Sequence, residues 1–316
     1  MIFTALAAVL VAWALSTLWL SRRIEARFPP VGRFVEVDGG RLHVVDSGGD
    51  GPVVLLIHGA SGNLADPRLA LAAPLVQAGF RVLAIDRPGH GYSERCGDAA
   101  EPRRQAALIR VAVERLGVEA AVVVVHSLAG VLGLAMALEA PRFVRGLVLL
   151  SPVSHPWPGG VSWYYHVAAA PGIGPLFCWL IAPYAGRALM DSGVRAVFRP
   201  NPIPEHYAER TALKLLFRPW QFRANAEDFV VLHGATQRQA PYYPQILAPT
   251  AIVMGADDKL VSPDIHARAL AREIPGATLA LLPGIGHSPH FAARHHVVAA
   301  IGDVMRRAAR QAAAVN

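Results

Sequence analysis

The stretch that most constrains this 316-residue chain is Val122-Val123-Val124-Val125-His126-Ser127-Leu128-Ala129-Gly130. Four successive valines read as a β-strand, and a continuous apolar run is what a strand buried on both faces requires. The run stops at a serine. Small residues follow at once, and residues 131–139 then carry a helical pattern. A strand that feeds a helix through so short a turn pushes the serine hydroxyl out above the end of a sheet. Such a unit belongs in a parallel sheet wrapped by helices.

The flanking segments repeat the same alternation. Residues 34–45 alternate around Asp38-Gly39 as a hairpin does. Buried strands are predicted at 53–57, 81–85 and 146–150, with helices at 69–77 and 102–116 between them. The pattern breaks at Ser151-Pro152. From 153 to 245 the chain is Pro-rich, aromatic and mostly helical, and four of its six tryptophans (Trp157, Trp163, Trp179, Trp220) fall there. Strands resume at 250–254 and 278–282, and a helix from 291 to 312 closes the chain. The simplest reading is one α/β core, residues 33–152 and 246–312, interrupted by a helical cap insertion at 153–245.

Residues 1–21 contain no charged side chain. As a helix they would be about 30 Å long, enough to cross a bilayer. Arg22, Arg23 and Arg27 follow, and no positive region precedes the apolar run, which favours a retained transmembrane anchor over a cleaved signal. A linker is expected at 22–32, because Phe28-Pro29-Pro30 breaks any helix. Arginines after the span put the body on the cytoplasmic side, with a periplasmic or secreted body as the alternative.

The formal charge is +7, carried by scattered arginines and only two lysines, Lys214 and Lys259. No basic run marks a nucleic-acid arm, so no nucleic-acid partner is expected. Cys96 and Cys178 show no metal spacing; a disulfide between them has only the even count behind it. The adjacent His295 and His296 read as an exposed pair rather than a metal site. No metal, cofactor or obligate protein partner is implied.

Chemistry gathers at the carboxyl ends of the strands, where open parallel sheets bind their ligands. Ser127 follows one strand. Gly255-Ala256-Asp257-Asp258-Lys259-Leu260-Val261 follows another, Gly284-Ile285-Gly286-His287 the last, and His58-Gly59-Ala60 the first buried one. The order serine, aspartate, histidine is that of an α/β-hydrolase triad. With H-G-A-S-G, D-R-P-G-H-G-Y-S, V-H-S-L-A-G, G-A-D-D-K-L-V and G-I-G-H, the chain resembles the α/β-hydrolase fold family, of the membrane-anchored esterase or lipase sort, over roughly residues 32–310.

The resemblance implies roles. Ser127 would be the nucleophile, His287 its base, and Asp258, rather than Asp257, the acid that orients the histidine. The backbone N–H groups of Leu128 and Ala60 would form the oxyanion hole. Asp257 would then be a solvated loop residue, Asp86 and Ser93 structural support, and His126 a packing residue against the sheet; His290 stands close enough to compete as base. The rival role for Ser127 is a helix N-cap.

One departure matters. The two glycines of the usual G-x-S-x-G elbow are Val125 and Ala129 here. Strain of about 1–3 kcal/mol is expected from Val125, so that Val125→Gly should keep or raise activity.

Trp157, Trp163, Tyr165 and Phe177, with Tyr164 and Trp179, suit an apolar acyl pocket, although they could equally glue the cap to the core. The expected activity is that of a carboxylesterase- or lipase-type serine hydrolase on hydrophobic, lipid-like or polyester substrates, working through an acyl-enzyme. Acyl transfer or C–C bond hydrolysis on the same triad is the alternative; a silent membrane-anchored binding protein is another. A serine nucleophile disfavours haloalkane dehalogenase and epoxide hydrolase chemistry, which in this fold use aspartate.

Overall fold

A computed structural model describes residues 2–315. Among them, eight strands form one sheet in the order β1-β2-β4-β3-β5-β6-β7-β8. The strands are β1 (Arg33–Val37), β2 (Gly40–Asp46), β3 (Val53–Ile57), β4 (Arg81–Ile85), β5 (Ala121–His126), β6 (Val144–Leu150), β7 (Thr250–Gly255) and β8 (Thr278–Leu282). The hairpin β1–β2 joins β4 antiparallel; every other pairing is parallel.

The apolar runs have the expected cause: both faces of the sheet are covered. Leu55, Ile57, Val123, Val125, Leu147 and Leu149 pack into one core, beneath α3 (Pro102–Glu114) and α4 (Ala129–Glu139). Their alternates Val54, Leu56, Val122, Val124, Val148 and Leu150 pack into a second core, beneath α2 (Ala65–Gln77) and α12 (Arg294–Val315). Successive side chains on a strand point to opposite faces, so a run apolar at every position must be buried twice.

Between β6 and β7 lie α5 (Trp163–Ala169), α6 (Ile173–Leu180), α7 (Ala182–Phe198), α8 (Tyr207–Arg210) and α9 (Pro219–Gln239). Two further short helices, α10 (Ala267–Glu273) and α11 (Pro289–Ala292), follow β7 and β8. Cys96 and Cys178 are both buried free thiols, so the possible disulfide is not formed.

The N-terminal helix α1 (Ile2–Arg27) runs past the charge boundary at Arg22, and the expected linker shrinks to the few residues after Arg27. The stretch Phe3–Arg27 is long and apolar enough to cross a membrane, a property that spans and signal sequences share. Its second half is docked on the body. Thr17, Ser21 and Ile24 are buried, at helical spacing. Thr17 Oγ1 donates to the Trp179 carbonyl at 2.8 Å, and Glu25 pairs with Arg218 at 2.8 Å. Arg27 is engaged by Glu209 at 2.7 Å. The helix therefore continues where composition alone ended it, because side chains with partners on the cap hold its last turns.

Asp86, at the end of β4, gathers three elements. Its carboxylate binds His43 Nδ1 at 2.7 Å and accepts the N–H of Leu64 at 2.7 Å and of Tyr92 at 2.9 Å. It supports the sheet edge, as expected, and lies away from the serine. Asp86→Ala should strand these donors in a dry interior and cost about 3 kcal/mol, measured by chemical denaturation.

Candidate active site

Ser127 follows β5 with a left-handed φ of 55°, the backbone of a sharp elbow. Its N–H donates to the Leu150 carbonyl at 2.9 Å, and its carbonyl accepts from Gly130 at 2.8 Å and Val153 at 2.9 Å. The side chain does not cap α4; Leu128 occupies the N-cap position, with no side-chain cap. The hydroxyl instead lies 2.9 Å from His287 Nε2. His287 Nδ1 lies 2.7 Å from Asp258 Oδ2. With the Nδ1 proton given to Asp258, Nε2 presents its lone pair to the serine. The structure thus brings Ser127, His287 and Asp258 into one line and leaves Asp257 and His290 out of it.

Asp258 is nearly buried. Burial pushes its carboxyl up. The hydrogen bond and charge of His287 and the N–H groups of Val261 and Leu260 outweigh that and hold it below its ordinary value. The acid is thus ionised where it faces the imidazole. Asp257 is not idle: its Oδ2 accepts the Gly284 N–H at 2.8 Å and ties β7 to the histidine turn. That turn packs so closely that a side chain at Gly255 would meet the Gly286 carbonyl at 2.2 Å.

The expected strain at Val125 is not there, for a reason invisible in the motif. Val125 is fully buried, and its two methyl carbons each lie 2.9 Å from where a Cβ on Gly133 would stand. Gly133, one turn into α4, leaves the hollow that the valine fills. The close backbone approach of the elbow falls at Gly130, where a Cβ would meet the Val153 carbonyl at 2.7 Å. Trimming Val125 would therefore open a void rather than relieve a clash, which reverses the expectation for Val125→Gly.

The loop His58-Gly59-Ala60 lies against the serine: a Cβ on Gly59 would sit 3.1 Å from Ser127 Cβ. Among the described residues, neither the Ala60 nor the Leu128 N–H is taken up by a protein acceptor, so both remain free to donate. The loop is clamped by Arg87, fully buried, which donates to the carbonyls of His58 and Gly59 at 3.2 Å each. Its charge is met by Asp228 of α9 at 2.5 Å. A second brace from the cap is Asn201, which donates to the Gly284 carbonyl at 2.8 Å and accepts the Gly286 N–H at 2.9 Å. Sequence reasoning missed Arg87, Asp228, Asn201 and Gly133 as supports. Only Arg87, inside the D-R-P-G-H-G motif, had a signal that could have flagged it.

His126 does not pack as an inert ring. Its Nε2 binds the His287 carbonyl at 2.9 Å, and burial with two neighbouring histidines holds it well below its ordinary value, hence neutral. Behind it, His290 meets Asp66 at 3.2 Å and Tyr207 donates to Asp66 at 2.7 Å. Asp66, His126 and His290 form a donor set that could hold a metal ion, with one ligand atom from each lying within 4.8 Å of the others. His295 and His296 lie exposed on α12.

A cavity of about 1510 Å³ opens from the triad into the cap. Trp157, Trp163, Tyr165 and Phe177 all line it, with Ser127, Asp258 and His287 at its floor. Some of these aromatics also brace the cap: Tyr165 stacks on Phe229 at 4.3 Å. The wall's two cations stand toward the rim, Lys259 exposed and Arg268 paired with Asp264 at 2.9 Å, whereas the carboxylates of Asp66 and Asp258 are buried.

A mostly parallel sheet with helices on both faces, a strained serine elbow and a histidine after the last strand define the α/β-hydrolase architecture. Residues 52–172 match the family model described as alpha/beta hydrolase fold. The chain has the α/β-hydrolase fold. A 2-hydroxy-6-oxononadienedioate/2-hydroxy-6-oxononatrienedioate hydrolase of Klebsiella pneumoniae is 28% identical over 280 residues, spanning 81% of this chain and 88% of the relative. The dihydrolipoyllysine-residue acetyltransferase component of the acetoin cleaving system of Cupriavidus necator is 37% identical, over 38% of this chain but only 32% of its own length. Among solved structures, the enol-lactonase of Burkholderia xenovorans LB400 superposes with a TM-score of 0.69 at 20% identity, covering 87% of this chain and all of its own. At that identity the likeness is one of fold.

Two outcomes are expected. Gly133→Ala should destabilise the protein by about 1–3 kcal/mol through overpacking on Val125, and the cost should shrink in the Val125→Ala background; a denaturant double-mutant cycle reads the coupling. Asp66 is pushed up by burial yet drawn down overall, by His290, His126 and Tyr207, from 3.8 to about 2. Its ionised form therefore stabilises the fold above pH 3.8, and that contribution is lost as pH falls toward 2. Asp66→Asn should be less stable near neutrality and flatter across that window in acid-unfolding curves.

Proposed function

We propose that the protein is a serine hydrolase that cleaves uncharged, largely apolar carboxylic esters through an acyl-enzyme. The observation that carries the reading is the continuous line from Ser127 through His287 to Asp258, at 2.9 and 2.7 Å, on the floor of an apolar cavity. His287 takes the serine proton as Oγ attacks the carbonyl, and Asp258 stabilises the imidazolium. The N–H groups of Ala60 and Leu128 meet the tetrahedral oxyanion; one such donor is typically worth ~10²–10³ in rate. The protonated histidine then delivers the proton to the departing alcohol, and water deacylates the serine by the same route.

The aromatic wall and the rim position of Lys259 and Arg268 support an apolar acyl group over a charged one. A dianion held deep in this cavity would need a buried cation beside it, and among the described residues the wall offers only rim cations. α1 fits a membrane anchor, with the body on the side of the exposed Arg22 and Arg23, the cytoplasmic side by the positive-inside rule.

A second reading is hydrolysis of a C–C bond beside a ketone, favoured by the name of the Klebsiella relative. Attack and oxyanion binding are common to both readings. They differ in the leaving atom, an oxygen for the ester and a carbon that must be protonated for the ketone.

A fluorophosphonate probe should label the wild type and not Ser127→Ala. Neutral medium-chain esters should be turned over with free alcohol as product. Absence of labelling would overturn the serine mechanism, and turnover confined to diketone substrates would select the second reading.

A further inference from the structure

The apolar part of α1 does not stand apart from the protein. From Phe3 to Trp13 its described side chains are exposed, a stretch of about 16 Å, or half a bilayer core. From there to the charge boundary at Arg22 the helix runs beside the cap. Trp13 packs edge-on against Tyr184 at 5.7 Å, Ser16 reaches the same hydroxyl at 2.5 Å, and Thr17 binds the Trp179 carbonyl at 2.8 Å. On its outer side the helix still shows apolar residues at this level, Leu15 and Trp19. Residues Trp179 and Tyr184 of the cap therefore lie at the same depth as the inner end of an apolar span.

The cap at that level is itself uncharged and greasy. No Asp, Glu, Lys or Arg occurs between Arg145 and Arg187. α6 and α7 meet at a bend of 61°, and Ile173, Leu176, Ile181 and Leu189 point outward around it, Leu176 being 60% exposed. Along α7 the charges return at Arg187, Asp191 and Arg195, one face of the helix, while Ile181, Ala185 and Leu189 occupy another. A helix divided in this way lies in a membrane–water boundary with its apolar face down. Water against so large an apolar face is costly, and lipid beside α1 removes that cost.

The same helices form the cavity wall. Trp163, Ile181 and Leu189 are exposed on the outside and line the space that leads to Ser127. We propose that the outer face of α6 and α7 is immersed in the bilayer beside α1, and that the cavity opens there, so that substrate passes from lipid to the serine without crossing water. Resting on the hydrolase reading above, this makes the substrate a membrane-dissolved ester. A water-borne ester would have to enter through a mouth facing lipid.

The test uses the full chain in phosphatidylcholine vesicles containing phosphatidylglycerol. An environment-sensitive fluorophore on Leu176→Cys should shift to the blue and be quenched by nitroxide-bearing lipids. The same label on Glu119→Cys, exposed on the body, should respond only to an aqueous quencher; Cys96 and Cys178 are buried and escape labelling. If the label at 176 behaves like that at 119, immersion is overturned. The double variant Ile173→Glu/Leu176→Glu, at exposed positions outside the cavity wall, should hydrolyse a long-chain ester dissolved in the vesicles about tenfold more slowly, since carboxylates resist immersion. Its rate on a short water-soluble ester should be unchanged. Equal loss on both esters, or on neither, would overturn the lipid-side entrance. If Ser127 were not the nucleophile, both rates would be absent in the wild type while the fluorescence result would still decide immersion.

Discussion

The carboxyl end of the sheet depends on one buried ion pair. Arg87 is sealed from water, and Asp228 of the cap helix α9 meets it at 2.5 Å. Its guanidinium also donates to the carbonyls of the loop that lies against Ser127 and to Gln105 Oε1, and Gln105 Nε2 and Arg95 complete the group around Asp228. Such a pair contributes little when compared with apolar packing, but removing one member leaves a charge stranded in a dry interior, at a cost of about 3–5 kcal/mol. The pair therefore acts less as a source of stability than as a condition on geometry. The loop can lie against the serine only where the cap is seated to supply the aspartate.

That condition makes the cap part of the site rather than a cover placed on it. Asn201 repeats the arrangement on the histidine side, where a cap residue satisfies both the carbonyl of Gly284 and the N–H of Gly286. The His287 turn and the His58–Ala60 loop are thus each held from above by a side chain of the insertion and from below by a strand end. A cap tied to the bilayer through α1 would pass its seating directly to both. The physical link is contiguous, from Thr17 on α1 to Trp179, and from α9 to Arg87.

Much of the fold was legible because burial on both faces of a parallel sheet leaves an unmistakable trace: unbroken apolar runs at 53–57 in β3, 122–125 in β5, 147–150 in β6 and 251–254 in β7. The serine elbow was legible because a strand, a serine and a helix follow one another without room for anything else. The error at Val125 shows where such reading stops. A motif lists neighbours in the chain, whereas the valine's steric partner is Gly133, two turns of backbone away and brought beside it only when α4 packs on β5. The linker was misjudged for the same reason: the end of α1 is held by Glu25 and Arg27, whose partners Arg218 and Glu209 lie far along the chain.

By itself, the sequence determined the alternation of strand and helix, the strand ends on which serine, aspartate and histidine sit, and the apolar character of the first helix and the cap. These are consequences of local periodicity and of residue type, which the chain carries before it folds. Tertiary structure alone decided which glycine admits Val125, and that a buried arginine and an aspartate from the insertion hold the loop that lies against the serine. It also decided that the apolar helix lies along the cap. Each is a contact between residues far apart in sequence. Hydrogen bonds and close packing act over a few ångströms, and only the folded chain sets those distances.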